Sequence, residues 1–326
     1  MTNTIHFGRR LRLSGRALGA ALAVAAGLVL IGAPRVSVAA DDQVTAATYS
    51  KKGADTCLKC HDDAHLVSIF KTRHAQPGNP DAPFGHGQLQ CESCHGPGGL
   101  HATTKGKDRA PMINFGGKSG TPVAVQNKQC LGCHEDDTKH QWAASAHDAA
   151  NVACADCHSS HAVVDRVRKT GSQQEVCYTC HVTQKANALK PYAHPLRQGE
   201  MACSSCHEPH GSTTKAALKA ATINETCYSC HPDQRGPFVW EHAPATENCA
   251  LCHDSHGSIH PAMLKQRGPF QCQQCHSAQG HPSVAYGPSG IVGGAAPSTA
   301  VVAGNCSNCH TQVHGSNHPS GRSLTR

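Results

Sequence analysis

The sequence is poor in the residues from which protein interiors are usually made. Leu, Ile, Val and Phe together supply 50 of 326 residues, aromatic side chains make up 4%, and there are two Trp. Below roughly 20% of such residues a chain seldom buries enough apolar surface to fold on its own side chains. A conventional enzyme domain with an apolar core is therefore excluded, and something other than side chains must fill the middle. Charge of one sign is lacking too. Beyond the first forty residues the chain carries 24 Lys and Arg against 22 Asp and Glu. No basic stripe suited to a phosphate backbone remains, which excludes a nucleic-acid partner. Long apolar runs are absent with one exception.

That exception is the run from Ala17 to Ala33, preceded by Arg9, Arg10, Arg12 and Arg16 and followed by small residues from Ser37 to Ala40. The pattern predicts an export signal over residues 1–40, removed by cleavage. The run is Ala- and Gly-rich and shorter than the ~20 residues of a spanning helix, so a retained anchor is the weaker reading. Arg9-Arg10 stand in poor surroundings for a twin-arginine signal, and general secretion is preferred. The expected compartment is the periplasm.

Export would make disulfides the default for the 20 cysteines. Their spacing argues against it. All twenty fall into ten C-x-x-C pairs: Cys57 and Cys60, Cys91 and Cys94, Cys130 and Cys133, Cys154 and Cys157, Cys177 and Cys180, Cys203 and Cys206, Cys227 and Cys230, Cys249 and Cys252, Cys272 and Cys275, Cys306 and Cys309. Each pair is followed directly by histidine, at His61, His95, His134, His158, His181, His207, His231, His253, His276 and His310. Chance would place histidine at all ten positions with a probability on the order of 10⁻¹¹. C-x-x-C-H is the attachment sequence for haem c, in which two thiols join the vinyl groups at the porphyrin edge and the next residue ligates the iron. Zinc needs four ligands per ion and gives no reason for a histidine fixed after each pair. A disulfide framework leaves the same ten histidines unexplained. Ten covalent haems are the expected cofactor.

Ten irons need ten further axial ligands. In the middle of the chain a two-haem unit repeats: motif, a histidine, second motif, then a histidine three residues on. Its motif starts, Cys130, Cys177, Cys227 and Cys272, recur every 45 to 50 residues. A tandem array is expected. The pattern selects His74, His101, His147, His161, His194, His210, His242, His256, His281 and His314 as distal ligands. Trans imidazoles on one iron hold their Cα atoms roughly 12 Å apart, and three residues span at most ~11 Å. His161 therefore cannot serve the haem of His158. Within each middle unit the expected arrangement is crossed, with His161, His210 and His256 serving the preceding haem, and His147, His194 and His242 the following one. The same crossing is extended, less constrained, to the end units of His61, His74, His95 and His101, and of His276, His281, His310 and His314. His65, His86, His140, His260 and His318 are left over, read as solvated or hydrogen-bonding side chains. Exchange of ligand role is open between His281 and His318, and between His74 and His65.

The intervening sequence is rich in Gly, Pro, Ser, Ala and Asn. The expected fold is a multihaem cytochrome c, an elongated haem wire that is mostly irregular with short α-helices and little or no β structure. One such helical patch is placed at Thr214 to Ala221, and long loops at Pro77 to Gly120 and Ser277 to Gly304. Iron held between two imidazoles is closed to substrate and passes electrons only. Ten rings at roughly 10 Å spacing reach farther than the ~40 to 45 Å of a bilayer. Ten ferric sites set against twenty propionates leave the loaded chain near −8, which cannot face lipid. Crossing a membrane would require a polar-lined β-barrel around it.

At several places the chain resembles the periplasmic decahaem cytochromes of the MtrA/DmsE type, whose relatives include MtoA and PioA. The matches are Cys91-Glu92-Ser93-Cys94-His95-Gly96-Pro97-Gly98, the segment Pro111-Met112-Ile113-Asn114-Phe115, and Cys306-Ser307-Asn308-Cys309-His310 followed by His314-Gly315-Ser316-Asn317-His318-Pro319-Ser320-Gly321. The resemblance implies two pentahaem halves, 41–199 and 200–326, and a location at the outer membrane, partly inside a β-barrel porin. It further implies electron exchange with an outer-surface multihaem cytochrome or extracellular metal, and with a periplasmic or inner-membrane quinol-linked cytochrome. Two other classes stand beside it. A soluble periplasmic shuttle or electron store would have no barrel partner, and a multihaem reductase would keep one haem five-coordinate.

Overall fold

In a computed structural model, residues 48–108, 111–116, 120–134, 141–276 and 305–325 are described. The predicted export signal, His140 and His281 lie outside them. Ala46–Arg326 form one compact unit.

Each haem-attachment motif folds as a single helical turn. The His61 N–H donates to the Cys57 carbonyl (3.0 Å), and the same bond recurs from His158 to Cys154 (2.8 Å), His231 to Cys227 (2.9 Å) and His310 to Cys306 (2.9 Å). Residues four apart on a helix share a face, so one turn brings the two thiols and the imidazole to the same side. Longer helices run into some motifs. Val123–His134 and Thr170–Cys177 do so, while Val182–Ala188 leaves one. The only sheet among the described residues is a pair of two-residue strands, β1 (Trp240–Glu241) and β2 (Gly315–Ser316), antiparallel with Trp240 opposite Ser316. The fold is thus mostly irregular with short helices, as expected.

The interior among the described residues is made largely of small and amide side chains. Gln126, Asn127 and Asn224 are buried alongside Ala54, Ala153 and Ala188. Buried amides must satisfy their hydrogen bonds, and Asn127 and Asn224 do so by tying one motif to the next. Asn127 accepts from Cys154 N (2.8 Å) and donates to the Val152 carbonyl (3.1 Å). Asn224 repeats the arrangement 97 residues on, accepting from Cys249 N (2.7 Å) and donating to Ala245 O (3.0 Å) and Thr246 O (3.1 Å). Both amides stand three residues before the first cysteine of a unit. Near the first unit, buried Glu92 gathers Ser50 N (3.0 Å), Ser50 Oγ (2.7 Å) and Gly98 N (2.7 Å).

A second, longer-range device joins successive units. A His-Gly-Ser segment at the end of one unit lies against the middle histidine segment of the unit before it. Gly211, Gly257 and Gly315 all have positive φ (118°, 129° and 141°). A Cβ at Gly211 would stand 2.2 Å from the Gln141 carbonyl oxygen, and one at Gly257 2.2 Å from that of Asn187. Only glycine permits both the conformation and the approach. Backbone bonds between Tyr192 and Ser258, in both directions, mark one of these seams, and the β1–β2 pair marks the next.

The helical patch expected at Thr214 to Ala221 is not formed. Lys215–Ala217 make a single 3-10 turn in which Ala216 and Ala217 adopt positive φ (60° and 51°). The cause is a demand from outside the segment: the Ala216 carbonyl accepts the His207 Nδ1–H (2.8 Å). The same turn recurs at Pro261–Met263, where Ala262 has φ 53° and its carbonyl accepts from His253 Nδ1 (2.7 Å).

Candidate haem-binding sites

Nine of the ten motif histidines meet a candidate distal histidine among the described residues; the expected partner of the tenth, His281 for His310, lies outside them. His61 faces His101 with ring centroids 6.2 Å apart, His134 faces His74 at 6.2 Å, and His95 faces His161 at 6.2 Å. His158 faces His210 at 6.0 Å, His181 faces His147 at 6.1 Å, and His207 faces His256 at 6.1 Å. His231 faces His194 at 6.5 Å, His253 faces His314 at 6.2 Å, and His276 faces His242 at 6.1 Å. A metal bonded to imidazole nitrogen at about 2.0 Å lies roughly 3.1 Å from the ring centroid, so two trans imidazoles stand about 6.2 Å apart. These separations fit one iron between each pair.

The remaining ring nitrogen supports the same fit. Nδ1 is hydrogen bonded to an acceptor oxygen at motif histidines His95 (Ile113 O, 2.9 Å), His207, His253 and His310 (Ser323 O, 2.6 Å). On the distal side it is bound at His101 (Asp108 O, 3.1 Å), His147 (Pro209 O, 2.8 Å), His194 (Ser255 O, 3.0 Å) and His242 (Val313 O, 2.8 Å). Donation from Nδ1 fixes the tautomer and leaves Nε2 for a metal. Burial holds the imidazoles of His74, His161, His256 and His314 below the ordinary histidine pKa, with a facing imidazole adding to the effect. A ligand must be neutral, and the lowered pKa favours that form.

The pairing corrects the crossed arrangement expected within units. His147 faces His181 rather than His158, His194 faces His231 rather than His207, and His242 faces His276 rather than His253. In the other direction His161 faces His95 rather than His134, His210 faces His158 rather than His181, and His256 faces His207 rather than His231. At the ends, His101 meets His61 as expected, but His74 goes to His134 rather than His95, and His314 to His253 rather than His276. The seams between units are the cause. The carbonyl that anchors His147 belongs to Pro209, next to His210, so both distal imidazoles are held where two units join. His147 and His210 therefore each staple one unit to its neighbour.

The leftover histidines behave differently. His318 Nδ1 accepts hydrogen bonds from Ser320 N (3.2 Å) and meets Ser320 Oγ (2.9 Å), while its carbonyl accepts from Trp240 Nε1 (3.0 Å). Its proton then sits on Nε2, the wrong tautomer for a ligand through that atom. His86 is exposed, and His65 stacks on His161 with centroids 5.8 Å apart.

The thiols add an order that spacing alone did not reveal. The first cysteines of each unit adjoin: Cys57 and Cys91, Cys130 and Cys154, Cys177 and Cys203, Cys227 and Cys249, Cys272 and Cys306. In one such pair a hydrogen bond between the thiols pushes Cys177 up and lowers Cys203 to about 7. Between units it is the second cysteines that adjoin: Cys94 and Cys133, Cys157 and Cys180, Cys206 and Cys230, Cys252 and Cys275. In the loaded protein these sulfurs are thioethers on porphyrin edges. Neighbouring sulfurs therefore mean neighbouring edges, alternately through first and second thioethers.

Comparison with known proteins agrees with this chemistry. Residues 194–236 and 242–281 match the doubled CXXCH motif, and residues 91–174 match the NrfB-like c-type cytochrome proteins. The chain is 48% identical over 294 residues to the multiheme cytochrome MtrA of Shewanella baltica, covering 90% of this chain and 87% of that one. It is 25% identical over 195 residues to the high-molecular-weight cytochrome c of Nitratidesulfovibrio vulgaris, covering 58% of this chain and 32% of the relative. Among solved structures, the undecaheme cytochrome from the S-layer of Carboxydothermus ferrireducens aligns at 20% identity and a TM-score of 0.14, over 73% of this chain and 33% of that one. Covalent haem c and electron transfer follow from the motifs and from this relationship. The chain belongs to the MtrA family of multihaem c-type cytochromes.

Proposed function

We propose that this cytochrome relays electrons in sequence order, from the haem at Cys57 to the haem at Cys306 or the reverse, through ten irons each held between two imidazoles. The observation that carries the reading is the unbroken succession of adjoining thiols, from one motif to the next along the whole chain. Haem c, when bound, supplies a one-electron iron couple. The chain's own part is to fix each ring by two thiols and a helical turn, and to aim Nε2 of each ligand by anchoring Nδ1. With both axial positions taken by His61 and His101, His95 and His161, and their successors, no iron is left open for catalysis. His281 is the tenth distal ligand in this reading, serving His310.

The array works between periplasm and outer surface, within an outer-membrane β-barrel porin. Its partners are an outer-surface multihaem cytochrome or extracellular metal on one side and a periplasmic or quinol-linked cytochrome on the other. No helix among the described residues is long and apolar enough to cross a membrane. Passage through one would then depend on the barrel. The boundary at 199/200 divides the haems five and five. Across it Gln173 accepts from Ser204 N (2.8 Å).

The test is affinity purification of the tagged cytochrome from solubilised outer membrane, followed by reconstitution. A stoichiometric barrel partner and electron passage into sealed vesicles are expected. A freely soluble protein without such a partner would replace the conduit with the periplasmic shuttle.

A further inference from the structure

One ligand anchor departs from the rest. Where a motif histidine's Nδ1 partner is described, it is a main-chain carbonyl at His95, His207, His253 and His310. At His158 it is a carboxylate, Asp165 Oδ2, at 2.6 Å. The repeat explains how. After His207 and His253 the chain passes through His-Gly-Ser and a left-handed Ala turn that returns a carbonyl to the ring. After His158 it reads Ser159-Ser160-His161-Ala162-Val163-Val164-Asp165, with no glycine, and reaches the ring with an acidic side chain instead. Asp165 is held there by a second contact, accepting from Ser159 N (3.4 Å). The imidazole facing His158 is His210, and its Nδ1 stands 3.4 Å from Glu208 Oε1. Both axial ligands of one iron thus have a carboxylate at the nitrogen that does not face the metal.

A carboxylate in that position makes the imidazole a stronger donor and places negative charge near the iron. Both effects favour the ferric form over the ferrous. The Asp165 side chain is only 18% exposed, so solvent does little to weaken them.

We propose that Asp165, a positioning residue acting through His158, makes the haem at Cys154 and Cys157 the last of the array to be reduced. This rests on the two-imidazole reading above. Fourth in the sequence order, that haem divides the relay into a group of three and a group of six. Electrons settle on either side, and transfer between the groups in either direction passes over it. A carbonyl anchor, as in the equivalent haems at Cys203 and Cys249, would leave no such step.

The test uses the full-length holoprotein in potentiometric titration followed by optical and electron paramagnetic resonance spectra. Wild type is compared with Asp165→Asn, Asp165→Glu and Glu225→Gln, the last altering a surface ion pair with Arg235. In Asp165→Asn the lowest-potential tenth of the absorbance change should move upward by a factor of about ten in the reduction equilibrium, about 59 mV for one electron. The other nine tenths should superimpose on wild type. Asp165→Glu and Glu225→Gln should keep the wild-type curve. A haemochrome assay first verifies ten haems. If Asp165→Asn loads fewer, Glu208→Gln must raise the same lowest wave. An unshifted lowest wave in the loaded variant, or a shift in any other wave, overturns the proposal. High-spin iron in resting wild type would instead overturn the ligand reading beneath it.

Discussion

The Nδ1 of His147 is hydrogen bonded to the carbonyl of Pro209, the residue immediately before His210 (2.8 Å). One short contact therefore sets the ligands of two different irons, since His147 faces His181 and His210 faces His158. The relation is repeated by His194 with Ser255 beside His256, and by His242 with Val313 beside His314. Each unit is closed by its neighbour.

The angle between facing rings makes this pairing measurable. His147 and His181 are inclined at 72°, whereas His158 and His210 are within 12° of parallel. Low-spin iron with near-perpendicular imidazoles gives a strongly anisotropic resonance, and iron with parallel ones an ordinary rhombic signal. In His147→Met one of the anisotropic signals should disappear and one haem should rise in potential, as expected of Met/His ligation. Loss of a rhombic signal would restore the pairing of His147 with His158.

Motif and ligand types were legible in the sequence because both depend on local spacing. Cys154-Ala155-Asp156-Cys157-His158 is one helical turn, whatever surrounds it. The reach of three residues keeps His161, whose ring faces His95, away from the haem of His158. It did not choose between His134 and His95, because that choice is made by a seam between units. The seam's sequence mark is modest: His-Gly-Ser at His210, His256 and His314, where the glycine's positive φ and close approach belong to the tertiary structure. Thr214 to Ala221 misled for a related reason. Alanine favours helix, but the carbonyl needed by His207 lies on a left-handed Ala216, and that tertiary bond outweighs the local preference.

Gly257→Ala tests the seam. The new Cβ would meet the Asn187 carbonyl at 2.2 Å from a φ of 129°, a conformation and a contact that alanine resists. Strain of this kind costs about 3 kcal/mol. The melting temperature of the holoprotein should fall by roughly 6 °C or more, by circular dichroism, with ten haems still attached. Unchanged melting would show that the units are not joined through this glycine.

Asn224→Ala probes the join inside a unit. It strips the acceptor from Cys249 N (2.7 Å) and the donor from two carbonyls, all around a buried side chain. Leaving such groups unsatisfied costs about 1–3 kcal/mol. Asn224→Asp keeps the acceptor and should recover part of the loss. Equal melting of the two variants would mean that the bond to Cys249 N contributes little.

His314 and His318 stand four residues apart in one short segment, yet their rings have opposite assignments. The His314 ring is half-buried and faces His253 at 6.2 Å, and burial lowers its pKa. The His318 ring is exposed, and its Nδ1 is committed as an acceptor to Ser320. In His314→Ala the iron at Cys249 and Cys252 should lose one ligand and become high-spin, with a charge-transfer band in the red and uptake of cyanide by one haem in ten. His318→Ala should leave all ten haems low-spin and lower stability by about 1 kcal/mol, through loss of the Ser320 contacts. A high-spin haem in His318→Ala with none in His314→Ala would reverse the two roles and move the distal ligand four residues toward the C-terminus.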